Sequence, residues 1–466
     1  MHLPLALLSL AVSPTYARPQ QQPWRALPET IAKPRLCPDS NFTQYSGYVP
    51  GSEIFFWFFP SRSDPSKDPI GVWTNGGPGS SALMGMQYVG PCEVVEGDHG
   101  PEMRRREWSF NDHASILMID NPRGAGFSFA KFPAVDNIYD GARDAWIFLQ
   151  SFFKVFPEYQ ANALAVNSAS YGGHYCPAYA SFIQHMNAKI AGEPSLWEDI
   201  WEDEATDDAI RLNLTSISIG NGFINNRVQA RFNIEYACGG ADIPMLGDAE
   251  ECEWARKQID MAEELMDTCR SKVECSAAGL WTDKVSSFPY ETTGLNPYDY
   301  RRSEPYDETH IIAFYNNASV QAALGVIQPG QPAKVWESHS RRVAAEFILS
   351  GDWDERTDYL FARLLKSGVG ILKYEGMVDW ICNYLGVRQV MQNLTDYQHQ
   401  KAWNRIDMKP WYGQGDVSAG RYKCHQHNGE APLCYVEVED AGHVVSTDKP
   451  KEGSWLVGKW MNDREI

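Results

Sequence analysis

The sequence predicts an α/β fold: a mostly parallel central sheet covered by helices on both faces, in one large domain carrying an inserted cap. Three observations predict it. Short apolar runs alternate with helical stretches along the chain, the pattern of a sheet buried on two sides. One such run, 164–167, passes through a tight turn into Tyr175, Tyr179, Ile183, Met186 and Ile190, which recur at helical spacing. With 466 residues, 43% of them hydrophobic and 12% aromatic, the chain has material for a large core and is not a disordered sequence.

Taken in order, the chain opens on an apolar run, Leu3 to Val12, followed by Pro14 and the small residues ending at Ala17. The run is too short to span a bilayer and reads as a secretory signal over residues 1–17, leaving 18–466 as the mature domain. Four glycosylation sequons agree with that route: Asn41, Asn213, Asn317 and Asn393 each head an Asn-x-Ser/Thr triplet. No later stretch reads as a membrane span, and the end at Ile466 shows neither a retention signal nor an anchor tail. A secreted protein is expected, delivered outside the cell or to a vacuole. Oligomeric state is not legible.

Strands are expected at 53–59, 70–75, 115–120, 164–167, 216–220, 370–374 and 433–437. The interval 225–337 has weaker alternation, clustered cysteines and acidic helical segments such as 249–269, and reads as a cap inserted on the sheet. Ten cysteines in an oxidising compartment should be mostly paired. Cys238, Cys252, Cys269 and Cys275 crowd one segment, and Cys424 and Cys434 bracket a His-Asn-Gly turn. No spacing suggests zinc, so no metal is expected, and spacing alone leaves the pairing open. The net charge of −19 repels phosphate backbones and argues against a nucleic-acid partner.

Four motifs carry chemistry. Ser168-Ala-Ser-Tyr-Gly-Gly173 lies between the 164–167 strand and its helix, where a serine, Ser170, would project its hydroxyl above the sheet beside a helix N-terminus. Gly172 suits the tight turn, whereas Ser168 stands where glycine is usual. Asp379 follows the strand at 370–374, and His443 follows the strand at 433–437. Alone, each residue has an ordinary reading: a loop serine, a capping aspartate, a satisfied histidine. Together they lie at strand ends in the order Ser…Asp…His, which is that of the α/β-hydrolases. The fourth motif, Asn75-Gly-Gly-Pro-Gly-Ser-Ser81, follows another strand. Its glycines let backbone N–H groups face a reacting carbonyl oxygen, and it lacks the Lys-Ser/Thr end of a phosphate loop.

Trp73-Thr-Asn-Gly-Gly-Pro-Gly-Ser-Ser, Asn121-Pro-Arg-Gly-Ala-Gly-Phe-Ser-Phe, Ser170-Tyr-Gly-Gly-His-Tyr, Asp379-Trp-Ile-Cys-Asn and Ala441-Gly-His-Val-Val resemble the signatures of the serine carboxypeptidases, in a fungal-type secreted form. The likeness runs from Tyr45 to the end. It implies an α/β-hydrolase fold with Ser170 as nucleophile, His443 as general base and Asp379 as its orienter. It further implies the N–H groups of Gly77 and Tyr171 as the oxyanion hole, with Asn75 and Gly76 binding substrate. Cys37 and Cys92 resemble the family's N-terminal disulfide, Cys382 its unpaired active-site cysteine, and no cofactor is implied.

Two positions depart from the family. Glutamate normally precedes the nucleophile, where this chain has Ala169, and a second glutamate stands where this chain has Tyr88. In the family that pair shares a proton and, with the asparagine of Asn-Gly-Gly, grips the substrate's C-terminal carboxylate. Three readings follow. The first is a carboxypeptidase-like hydrolase with altered carboxylate recognition, acting on peptides. The second is an acyltransferase or esterase acting on small acyl substrates. The third is a silent binding protein on the same scaffold.

Overall fold

A computed structural model describes residues 30–39, 42–129, 133–240 and 245–466. The signal segment 1–17 and Asn41 lie outside the described residues. The strands are β1 (Thr30–Ala32), β2 (Tyr45–Tyr48), β3 (Phe55–Phe59), β4 (Ile70–Trp73), β5 (Cys92–Gly97), β6 (Gly100–Arg105), β7 (Ser115–Ile119), β8 (Leu164–Ser170), β9 (Leu214–Gly222), β10 (Gly370–Gly376), β11 (Lys409–Trp411), β12 (Gly420–His425) and β13 (Leu433–Val438). Eleven form one sheet in the order β1-β2-β3-β7-β4-β8-β9-β10-β13-β12-β11, and β5 pairs with β6 in a separate hairpin. The stretch from β7 through β4, β8, β9 and β10 to β13 is parallel, and both margins are antiparallel.

The seven strands expected from sequence are the apolar ones, and all are present with ends displaced by a few residues. They read as runs because both faces are buried. Along β3, Phe56 and Phe58 enter one core while Phe55, Trp57 and Phe59 enter the other. The strands that sequence patterning misses are short or polar: β6 exposes Glu102, Arg104 and Arg105, and β12 carries Arg421 and Lys423 near the sheet margin.

The first core packs under helices α1 (Ile138–Val155) and α2 (Gly172–Ala191), through residues such as Phe148, Phe152, Tyr179 and Phe182. The second packs under the C-terminal helix Pro450–Asp463, through Leu456, Val457 and Trp460. Helix α2 carries the tyrosine and isoleucine stripe read from sequence and ends at Gly192 in the left-handed conformation.

After β9 come α3 (Asn226–Glu235), α4 (Ala249–Thr268) and α5 (Lys272–Thr293), which form a small core of their own around Ile234, Ile259 and Val285. Further along the same interval the chain returns to the sheet, where Ile311, Phe314, Leu324 and Trp336 join the second core. Disulfides link Cys37–Cys92, Cys238–Cys252, Cys269–Cys275 and Cys424–Cys434, and Cys176 and Cys382 are free and buried. The Cys37–Cys92 pair and the unpaired Cys382 are what the resemblance implied. No described helix is long and apolar enough to cross a membrane. Asn213, Asn317 and Asn393 are exposed, so their sequons are accessible.

Candidate active site

Ser170 ends β8, and Gly172 opens α2 one residue after Tyr171. The turn forces Ser170 to φ +61°, a region that non-glycine residues rarely occupy and that tertiary contacts must enforce. Those contacts are visible. The Phe223 N–H donates to the Ser170 carbonyl at 2.7 Å, and the buried Ser168 hydroxyl donates to the Thr74 carbonyl at 2.6 Å. Ser168 thus ties the elbow to the end of β4 instead of merely tolerating the tight turn.

The Asn75-Gly76-Gly77 loop presses directly on this elbow. A Cβ at Gly76 would sit 2.6 Å from both the Ala169 carbonyl oxygen and the Tyr171 nitrogen, so only glycine lets the two backbones approach. Among the described residues, neither the Gly77 N–H nor the Tyr171 N–H donates to a backbone acceptor. Two donors beside Ser170 are therefore left for a ligand, the arrangement an oxyanion hole requires. The Tyr171 side chain points the other way. Its hydroxyl donates to Asp352 Oδ2 at 2.9 Å, while Asp352 Oδ1 accepts the Ile138 N–H at 2.9 Å. Burial pushes the Asp352 carboxyl up to about 7, although both hydrogen bonds oppose the rise.

His443 and Asp379 come together from the ends of β13 and β10, strands that are parallel neighbours. Asp379 Oδ2 lies 2.8 Å from His443 Nδ1, and it also accepts Asn221 Nδ2 at 2.9 Å and the Cys382 N–H at 3.3 Å. Asp379 Oδ1 accepts the Ile381 N–H at 3.2 Å. The aspartate is fully buried and surrounded by donors, which is how a carboxylate survives away from water. His443 is held by its own N–H on the Tyr298 carbonyl at 2.8 Å, with the Tyr298 ring 4.8 Å from the imidazole. Burial, reinforced by the Asp379 and Glu375 carboxylates, keeps the Cys382 thiol protonated.

Ser170 and His443 line one cavity of about 650 Å³, together with Asn75, Gly76, Gly77, Tyr88, Ala169 and Tyr171. Among the described residues no hydrogen bond joins the Ser170 hydroxyl to His443 Nε2, and unliganded sites commonly leave that bond loose. Every serine, aspartate, histidine, glycine and asparagine singled out for chemistry in the sequence thus meets at this cavity or directly behind it. No group of three or more metal-ligating side chains occurs among the described residues.

Three residues of the site were not singled out in the sequence. Asn221, at φ +37° near the end of β9, joins the Gly376 backbone and Asp379, and its Gly-Asn-Gly setting at the end of an expected strand is the signal that could have found it. Tyr298 and Asp352 have no such signal, because only the folded chain brings them to His443 and Tyr171.

Tyr88 stands in the cavity wall beside Asn75 and Ala169. The Tyr88 hydroxyl donates to Asn75 Oδ1 at 2.6 Å, and the Trp73 indole N–H donates to the same oxygen at 3.1 Å. An indole N–H can only donate, so the Asn75 amide must turn its NH₂ the other way. Burial pushes the Tyr88 phenol up, its bond to Asn75 works against this, and the Glu308 carboxylate adds to the rise.

Residues 34–463 match the family model described as serine carboxypeptidase. Carboxypeptidase Y of Komagataella phaffii is 31% identical over 432 residues, covering 90% of this chain and 76% of its own length. The vacuolar serine-type carboxypeptidase ATG42 of Saccharomyces cerevisiae is 30% identical over 438 residues, covering 90% of this chain and 79% of its own. Among solved structures, the prohormone-processing carboxypeptidase Kex1 of Saccharomyces cerevisiae superposes with a TM-score of 0.73 at 20% identity, covering 94% of this chain and 95% of its own, a likeness of fold. The chain is an enzyme with the α/β-hydrolase fold and belongs to the serine carboxypeptidase family.

Proposed function

We infer that this peptidase releases C-terminal residues from peptides by two-step acyl transfer, with weakened recognition of the substrate carboxylate. Ser170 Oγ attacks the scissile carbonyl while His443 Nε2 takes its proton. Asp379 holds the imidazole through Nδ1 and offsets its positive charge. The Gly77 and Tyr171 N–H groups receive the oxyanion, His443 then protonates the leaving amine, and water releases the acyl-enzyme by the reverse path. The observation that carries the reading is the 2.8 Å His443–Asp379 contact beside a strained serine flanked by two unused N–H donors.

Carboxylate recognition falls to Asn75 and the Gly76 region, since Ala169 offers no acid and the Tyr88 hydroxyl is spent on Asn75. That same loss favours the second reading, transfer of the acyl group to an alcohol or cleavage of small esters. Residues 225–337 are read as the cap over the pocket, and residues 1–17 as a signal that routes the protein out of the cell or to a vacuole, with glycans at the four sequons.

The test is a product screen against peptides with free and blocked C-termini and against small acyl esters, paired with fluorophosphonate labelling. Ser170→Ala should abolish both labelling and turnover while leaving the circular dichroism spectrum unchanged. Normal turnover by that variant would refute the assignment. Ester products alone would select the second reading.

A further inference from the structure

Lys373 and Glu375 are two residues apart on β10, so both side chains leave the same face of the sheet, and both are fully buried. On the neighbouring strands that face carries Glu437, the register partner of Glu375 on β13, and Arg421, the register partner of Glu437 on β12. The two buried glutamates are met unequally. Glu437 receives two guanidiniums, Arg388 at 2.5 Å from the helix Tyr384–Gln392 and Arg421. Glu375 has one cation: its Oε1 lies 3.0 Å from Lys373 Nζ, and its Oε2 accepts no hydrogen bond among the described residues. A buried carboxyl with so few donors favours its protonated form. Burial pushes the Glu375 carboxyl up to about 8, with Lys373 opposing the rise and the Asp379 and Glu437 carboxylates adding to it.

Lys373 Nζ also donates to the Ile219 carbonyl on β9 at 3.1 Å. A Cβ at Gly222 would lie 2.5 Å from that nitrogen, so the glycine leaves the room that the ammonium occupies. Between Ile219 and Gly222 in the chain stands Asn221, whose amide spans from the Gly376 backbone to Asp379. The ammonium thus lies against the segment that braces the catalytic aspartate, and Glu375 directly precedes Gly376. The other titratable groups facing the pair are neutral. Burial keeps the Cys176 thiol on α2, the Tyr374 and Tyr435 phenols and the Cys382 thiol after β10 protonated. With Glu437 matched by its two guanidiniums and Glu375 protonated, Lys373 is the unmatched cation behind Asp379 among the described residues.

We propose that Lys373 is a positioning residue for the triad, a buried ammonium that acts through Asp379 to set the pH at which His443 becomes the general base. The proposal rests on the reading of Ser170, His443 and Asp379 as the triad, and it holds for peptide and ester substrates alike. A cation behind Asp379 opposes proton uptake by the His443–Asp379 pair, so His443 is free to take the serine proton at lower pH than without Lys373. As pH rises through about 8, ionisation of Glu375 offsets the ammonium and places a second carboxylate behind the imidazolium of the transition state, so the rate rises there. For unit charges about 10 Å apart at an effective dielectric between about 20 and 40, each effect is about 4- to 16-fold, or about 0.6–1.2 pH units on the acid limb.

The experiment measures, from acid to alkaline pH, the second-order rate of Ser170 labelling by a fluorophosphonate, a reaction that needs His443 but no peptide. A parallel series measures kcat/KM on a blocked dipeptide. Lys373→Met should move the acid limb of the labelling profile to higher pH by about 0.6–1.2 units. A uniform loss at every pH with the limb unmoved, the mark of a merely structural residue, would overturn the proposal. Glu375→Gln keeps a neutral side chain beside the ammonium, so the acid limb should stay where it is. The native-to-variant ratio should then rise by about 4- to 16-fold once Glu375 ionises. Should Lys373→Met fail to fold, as judged by circular dichroism, Glu375→Gln decides. A limb displaced to lower pH would show that Glu375 is already ionised in acid and the pair neutral, and it would overturn the proposal, as would a flat ratio at alkaline pH. The expected limb shifts in labelling, without peptide turnover by the native protein, would refute the peptidase reading and support Lys373. Peptide turnover with unmoved limbs would do the reverse.

Discussion

Asp379→Asn removes one charge from the centre of the site, and the surrounding donors determine how the new amide sits. At the Oδ2 position the side chain meets three donors: His443 Nδ1, Asn221 Nδ2 and the Cys382 N–H. At Oδ1 it meets one, the Ile381 N–H. An asparagine therefore keeps its oxygen at the Oδ2 position and turns its NH₂ toward Ile381, so His443 still has an acceptor for its Nδ1 proton. What is lost is the anion beside the imidazolium that forms in the transition state. Two unit charges about 4 Å apart at an effective dielectric near 20 interact by about 4 kcal/mol, which is about 10³-fold in rate. The assay is kcat/KM on a blocked dipeptide, with circular dichroism and thermal melting to confirm folding. A loss below about tenfold would show that Asp379 is a structural acid and that another group orients His443.

Three further outcomes follow from the same geometry. The double change Ala169→Glu with Tyr88→Glu supplies a proton-sharing pair beside Asn75, and discrimination between a free C-terminal acid and its amide should rise by about 10- to 100-fold with a shift of the optimum toward acid; an unchanged ratio across pH would show that those positions do not face the carboxylate. Asp352, raised by burial to about 7, is protonated in the folded state over a range where the unfolded chain is ionised, so the stability it contributes is full at low pH and is lost as pH rises through about 7. Relative to Asp352→Asn, the native protein should lose melting temperature between mildly acid and mildly alkaline pH, and parallel pH profiles would refute the buried-acid account. Gly173→Ala should destabilise the fold by about 1–3 kcal/mol or more, because its Cβ would lie 2.1 Å from the Phe223 carbonyl oxygen; a melting temperature within about 2 °C of native would mean that the elbow relaxes freely.

The sequence by itself determined the parallel core of the sheet and singled out the serine, aspartate and histidine that the fold brings together. Strands buried on both faces must be written as apolar runs, and a serine, an aspartate and a histidine at strand ends in a set order leave few alternative arrangements. It also marked Ala169 and Tyr88 as the positions where the resemblance implies glutamate, since each stands at a fixed offset from a readable motif. The polar strands β6 and β12 escaped, because an edge or hairpin strand with charged residues has no apolar period to read. Tertiary structure alone decided that Tyr88 turns its hydroxyl onto Asn75 and that Asn221, Tyr298 and Asp352 brace the site. It also decided that Glu308, far along the chain, is tethered to the loop beside the elbow. Each of these is a contact between segments distant in sequence, whose partner is chosen by how the chain packs rather than by any local propensity.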